Sequence, residues 1–171
     1  MTDLQHTAAA RLAQLEWRWK PFVDLTGVEV YEMLAARSGV FVIEQNCLYG
    51  DIDGLDVDAW HLLAYGTYGT GDDAAAPLLA GYLRVLLPDA ADADVRIGRV
   101  LTTASFRGIG LGNAMLERSL AHIRTQWPDT PIRLHAQAHL QGFYGAFGFE
   151  PVSEIHEEDG IPHVWMRSLR A

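Results

Sequence analysis

Apolar and polar residues alternate from Leu15 to Val23, with Trp17 and Trp19 set against Arg18 and Lys20; a period of two marks a strand with one covered face. From Thr26 to Ser38 the period lengthens. Val30, Met33, Leu34 and Arg37 recur at helical intervals, and Thr26 with Glu29 three residues on forms a capping box. Gly39 is expected to interrupt this helix. Ala59–Tyr68 and Leu78–Leu87 read as two strands of a hairpin, joined by a loose loop of glycine, aspartate and alanine. A polar loop, 88–94, leads into a strand over Val95–Thr103 whose alternation slips: Val95 and Ile97 share one parity and Val100 has the other. Gly98 lies at the slip, which predicts a β-bulge over Gly98–Leu101 that splays the strand end and opens a cleft. The spacing then predicts a helix over Gly110–Trp127, burying Leu116, Leu120, Ile123 and Trp127 with Leu111 and Met115 alongside, and stopped by Pro128. A buried strand (Ile132–Gln137) and a short helix (His139–Phe147) capped by Gly148 follow. Two last strands, Phe149–His156 and His163–Ser168, flank the turn 157–160. The order β α (α) β β β α β α β β is an α/β arrangement with a largely antiparallel front half and a crossover helix behind. Residues 1–14 read as a frayed or short helical lead-in to a single domain, 15–171.

Composition narrows the functions this frame can serve. At 171 residues and 49% apolar the chain can bury one good core. A net charge of −9 argues against nucleic acid, whose affinity comes largely from cationic neutralisation of phosphate; it is compatible with a cationic amine. One cysteine, Cys47, excludes an internal disulfide framework and suits a cytoplasmic setting. No apolar run approaches the ~20 residues of a membrane span, and the first residues lack the basic start and apolar centre of a secretion signal.

Two stretches hold candidate chemistry. The first is Val95–Trp127, where an apolar strand runs into Gly108, Gly110 and Gly112 and then directly into a helix. That order lines up free backbone N–H groups at a helix N-terminus, where the dipole also favours negative charge; the natural guest is a phosphate or pyrophosphate. Arg107 at the entrance can add a bidentate contact to phosphate oxygen. No Lys-Ser or Lys-Thr follows, so this is not the lysine-bearing P-loop. The second is Val40–Asp58, an apolar run followed by Glu44, Cys47 and then Asp51, Asp53, Asp56 and Asp58. Gly and Glu are absent from the positions a calcium-binding EF-hand needs, so the stretch reads as an acidic loop with Asx-turns around Gly50 and Gly54.

The pattern Arg107-x-x-Gly110-x-Gly112 after a strand resembles the pyrophosphate loop of the GNAT acetyltransferases, which bind acetyl-coenzyme A. Phe143–Pro151 (FYGAFGFEP) is similar to that family's second coenzyme-binding segment, with Tyr144 and the pair Gly148-Phe149 matching. VFVIEQNCLYGDIDGLD, AQAHLQGFY and EEDGIPHVWM resemble its ElaA-like branch, and the resemblance covers roughly residues 16–168. It departs from the family at two places. Gln137 or His139 stands near a frequent Asn, and Ala104-Ser105-Phe106 replaces the usual proline before Arg-Gly.

The resemblance implies a mixed, mostly antiparallel sheet of six to seven strands flanked by about four helices, with a splayed strand at the cofactor cleft. It implies acetyl transfer from acetyl-coenzyme A to a small-molecule or peptide amine, by direct attack in a ternary complex and without a metal. The cofactor would contact Leu101, Thr102, Thr103, Arg107, Gly108, Ile109, Gly110, Leu111, Gly112 and Tyr144. A backbone N–H near Leu101–Thr103 would face the developing oxyanion, and Tyr144 would protonate the departing thiolate, unless its ring merely packs with Phe143 and Phe147. Glu44 is the first candidate for general base, because the apolar run before it would desolvate it and raise its pKa; an ordinary structural acid is the alternative. His61 is a second candidate, or else a satisfied core histidine. Cys47 could carry an acyl group but has no identifiable partner. Cys47, His61, His135 and His139 lack zinc spacing. A non-catalytic acyl-coenzyme-A binding module is the competing function. Oligomeric state is open, a homodimer through Trp17 and Trp165 being one option.

Overall fold

The computed structural model describes residues 3–47, 49–67 and 76–168. Its strands are β1 (Glu16–Pro21), β2 (Ala59–Gly66), β3 (Leu78–Leu86), β4 (Val95–Thr102), β5 (Ile132–Gln137), β6 (Glu150–Pro151), β7 (His156–Glu158) and β8 (Ile161–Ser168). They form a single sheet in the order β1-β2-β3-β4-β5-β8-β6, with β7 also on β8. All pairings are antiparallel except β4 with β5. The mixed sheet is as expected, but it has eight strands because the stretch 149–156 is not one strand: β6 and β7 pair with separate parts of β8. The turn between β7 and β8 narrows to Asp159 (φ 51°) and Gly160 (φ 79°), a two-residue hairpin turn whose positive φ values match the twist of the flanking strands. The tip of the loop expected between β2 and β3 lies outside the described residues.

Among the described residues four α-helices cover the sheet: α1 (Asp3–Ala13), α2 (Gly27–Arg37), α3 (Leu111–Gln126) and α4 (Gln141–Gly145). Successive side chains on the central strands point to opposite faces, so each face has its own core. Leu62, Leu83 and Val85 pack with Leu116, Leu120 and Ile123 of α3. Leu63, Tyr65 and Tyr82 pack with Met33 of α2. β1 shows how the alternation is used: Trp19 lies against His122 of α3 (centroids 4.2 Å apart), while Arg18 and Lys20 on the other face hold Glu29 of α2. Glu29 also closes the expected capping box with Thr26. Burial pushes its carboxyl up, but hydrogen bonds from Thr26, Lys20 and Arg18 outweigh that and hold it at about 2. Trp127 is half-buried at the end of α3, edge-on to Trp60.

Two departures from ideal geometry shape the cleft. After α2 the chain does not break at Gly39; it widens into π-helical turns over Ser38–Glu44. A helical glycine costs about 1 kcal/mol, less than the ~1.5–3 kcal/mol gained by burying Phe41 two residues on. The second is the expected bulge: Tyr82 pairs with Leu101 and Arg84 with Gly98, so Leu83 faces both Arg99 and Val100. Arg99 takes the left-handed region (φ 53°) there. β4 and β5 then pair only over 95–97 and 132–134, and beyond that the two strands separate.

Candidate functional site

β4 leads through a short 3-10 turn, Ala104–Phe106, into the glycine loop and α3. Phe106 and Ile109 are buried and anchor the loop from below. Gly108 (φ 77°) and Gly110 (φ 83°) take the left-handed conformation that lets the main chain turn its amides outward. Gly110 caps α3 without a side-chain bond, and Ala114 N–H is the first to reach back, to Gly110 O at 3.2 Å. The amides of Leu111, Gly112 and Asn113 therefore lack helical acceptors. A cavity of about 250 Å³ lies over them, lined by Thr102, Arg107, Gly108, Gly110, Gly112 and Phe143. Arg107 donates from Nε to Thr102 O (3.1 Å) and from Nη2 to Glu44 Oε2 (2.7 Å).

A larger cavity of about 360 Å³ opens where β4 and β5 part. Its walls come from the π-turn segment (Phe41, Gln45), the bulge (Gly98, Arg99), β5 (His135, Gln137), α4 (Tyr144) and β8 (His163). Gln137 donates to Gln45 Oε1 across it (3.1 Å). Tyr144 is packed between Phe143 (4.9 Å) and Phe149 (6.2 Å), and burial pushes its hydroxyl up to about 12, which keeps it protonated. The ring thus packs against its neighbours and also lines the cavity.

The acidic stretch is not a solvated loop. Asp53 does accept from Leu55 N–H in an Asx-turn, but Asp51 and Asp56 are buried. Arg37, fully buried at the end of α2, donates to Asp51 Oδ2 (2.7 Å), Asp56 Oδ1 (2.7 Å) and Asp51 O (2.6 Å). Arg84 of β3 binds Asp53 through both Nη atoms and Asp56 at 2.8 Å. Arg99 pairs with Asp51 and Asp53, which holds the bulge in its left-handed turn. Three arginines from three elements thus pin the loop as a rigid floor beside the cavity. Burial raises the Asp53 carboxyl, but hydrogen bonds from Arg84 and Leu55 N–H prevail and hold it at about 2.

The remaining candidates fall as follows. Glu44 is exposed at the end of the π turns and paired with Arg107, so the desolvation expected of it is absent: the apolar run before it wraps as a helix and turns its last residue outward. His61 is buried, its ring held between Tyr82 Oη (2.8 Å) and Asp56 O (3.0 Å); it is a satisfied core histidine. Cys47 and His135 line the cavity, but His61 and His139 do not join them. Thr103 N–H is taken by Ala80 O (2.9 Å). Amide direction alternates along a strand, so Leu101 N–H also faces β3, and Thr102 N–H faces the side that β5 has left.

A histidine cluster not legible in the sequence forms the far wall. His135 lies 2.7 Å from Glu158 through Nδ1 and 2.9 Å from His156 Nε2 through its own Nε2. The two rings are within 12° of parallel, with centres 5.0 Å apart. The nitrogens therefore lie between the centres, near the line joining them. Such opposed lone pairs share a proton; two imidazoles on one tetrahedral zinc would stand about 3.3 Å apart with converging lone pairs.

The acetyltransferase (GNAT) domain family matches residues 75–170. Protein ElaA of Escherichia coli is 42% identical over 154 residues, 89% of this chain and 95% of that protein. A structure of an acyl-CoA N-acyltransferase from Pseudomonas aeruginosa is 45% identical, covers 92% of this chain and 99% of that one, and superposes with a TM-score of 0.80. A spermidine N-acetyltransferase from Vibrio cholerae, solved with CoA and spermine, shares the fold (TM-score 0.65, 15% identity, 92% and 96% of the two chains). This chain belongs to the GNAT acetyltransferase family.

Proposed function

We propose that this chain transfers an acetyl group from acetyl-coenzyme A to a primary amine by direct attack inside a ternary complex. The observation that carries the reading is the parting of β4 from β5 between the two cavities, one above the uncapped α3 amides and one holding Tyr144. The pyrophosphate would sit on the amides of residues 108–113, with Arg107 beside it. The acetyl carbonyl would lie along β4, where Thr102 N–H, turned away from β3, would meet the developing oxyanion. Tyr144 would pass its proton to the departing sulfur. The CoA held by the Vibrio cholerae relative of like fold supports the choice of cofactor.

Thermal shift with coenzyme A tests the seat. Saturation at 100 times Kd adds about 2.7 kcal/mol of stability, roughly 5–10 °C at this size. No shift at millimolar coenzyme A would leave the loop an ordinary turn. Thiol release from acetyl-coenzyme A over a panel of amines tests the chemistry; binding without release from any amine would make the chain an acyl-coenzyme-A sensor.

A further inference from the structure

Acetyl transfer to an amine, the reading on which this inference rests, needs a group that removes a proton from the acceptor ammonium. Most polar groups lining the larger cavity are already engaged. Glu158 is held by His135, and Asp53 by Arg84 and Arg99. His135 is occupied at both ring nitrogens. Cys47 donates to Gln45 O, and Glu44 lies outside the cavity against Arg107. Asp159 stands at the exposed tip of the β7–β8 turn; a carboxylate's ordinary pKa lies about six units below that of an alkylamine, a histidine's about four.

His163 is different. Its Nδ1 lies 2.8 Å from Ile161 O. A carbonyl oxygen can only accept, so Nδ1 carries the hydrogen and the neutral ring keeps its lone pair on Nε2. No partner holds that Nε2 among the described residues. The ring is fixed on β8 just after the tight Asp159–Gly160 turn, with the His135 ring 4.7 Å away, and it lines the same cavity as Tyr144.

We propose that His163 is the catalytic base. Its Nε2 takes one proton from the acceptor ammonium, and the electron pair of that N–H bond stays on nitrogen. The freed amine attacks the thioester carbonyl carbon, the C–S bond breaks with its pair on sulfur, and Tyr144 supplies the thiol proton. The second N–H proton returns to the Tyr144 oxygen through cavity water, and the proton on His163 leaves to solvent. Ammonium and thioester thus give amide, thiol and one released proton. The charged or titratable groups around His163 are His156 opposite it on β7, His135 on β5, Glu158 and Asp159 beside the turn, Cys47, Tyr49, Asp53 and Arg99 across the cavity, and Tyr144 on α4.

His163→Gln tests the assignment. Expected is a fall of about 10²–10⁴ in kcat, with KM for the amine within threefold and the acid limb of the wild-type pH profile gone. Added imidazole should restore turnover in His163→Ala. Unchanged kcat with an unchanged acid limb would overturn the assignment. Nitrogen-15 spectra of the histidine rings supply a readout independent of turnover: His163 should be the Nδ1–H tautomer at pH 8, and an Nε2–H tautomer would overturn it in an active enzyme. If wild-type protein releases no thiol with any amine, the acetyltransfer reading fails first and takes this assignment with it.

Discussion

The glycine loop, Thr103–Gly112, lines the smaller cavity, the acidic wall, Ser38–Ala59, lines the larger one, and the two are made of different things. The loop presents consecutive backbone amides, set by two left-handed glycines and a helix start. The wall works through side chains distant in sequence: Arg37, Arg84 and Arg99 converge on three aspartates from α2, β3 and β4. A backbone seat tolerates most side-chain changes that leave its φ values alone. The wall depends on every member of its ion cluster, since removing one partner leaves a buried charge uncompensated.

The largest expected effect therefore falls on the wall. Arg37→Met should cost about 3–5 kcal/mol, because it strips Asp51 and Asp56 of their shared cation; urea denaturation measures it. A loss under 1 kcal/mol would mean that the cluster is not structural. The same contrast predicts a pH dependence. Asp53 and Glu29 are held at about 2 in the folded chain, below their unfolded values near 4. A depressed carboxyl contributes stability above the unfolded pKa and loses it as pH falls through the folded one. Denaturation midpoints should thus drop between about pH 4 and pH 2, and less so in Asp53→Asn.

Next in size is Gly110→Glu. It places an anion at the α3 N-terminus and a side chain at φ 83°, so coenzyme A binding by calorimetry should vanish. Retained affinity would move the pyrophosphate elsewhere. Tyr144→Phe should lower kcat by roughly ten- to a thousandfold while sparing coenzyme A affinity, since the ring still packs between Phe143 and Phe149. Full activity would leave the ring as packing alone.

The same contrast governs what could be read from the sequence. The loop, the bulge at Gly98–Leu101 and the Thr26–Glu29 capping box are local, so spacing alone located them. Tyr144 comes from the family pattern, and the structure places it on the wall of the larger cavity. The ion cluster was illegible, because Asp51 and Arg99 stand 48 residues apart and nothing local says that an aspartate-rich loop will be buried. His163 is illegible for the same reason: the role proposed for it depends on a carbonyl two residues back and on a cavity walled by several other elements. Gly39 misled, since a single glycine is too small a penalty to stop a helix whose next turn buries Phe41.

Glu44 gives the smallest effect and the sharpest test, because it is where the two regions touch. Its carboxylate meets Arg107 at 2.7 Å with both side chains more than 40% exposed. An exposed pair contributes at most about 1 kcal/mol, and a bound pyrophosphate would compete for the same guanidinium. Glu44→Gln should therefore free Arg107 and tighten coenzyme A binding by up to about fivefold. Stability should hardly change, and kcat should stay within twofold with the acid limb of its pH profile in place. If Glu44 took the acceptor's proton instead, kcat would fall by about a hundredfold or more and the limb would disappear while coenzyme A affinity stayed put. The two outcomes move opposite parameters, so one calorimetric titration and one pH profile on this single variant decide whether Glu44 belongs to the phosphate side or to the chemistry.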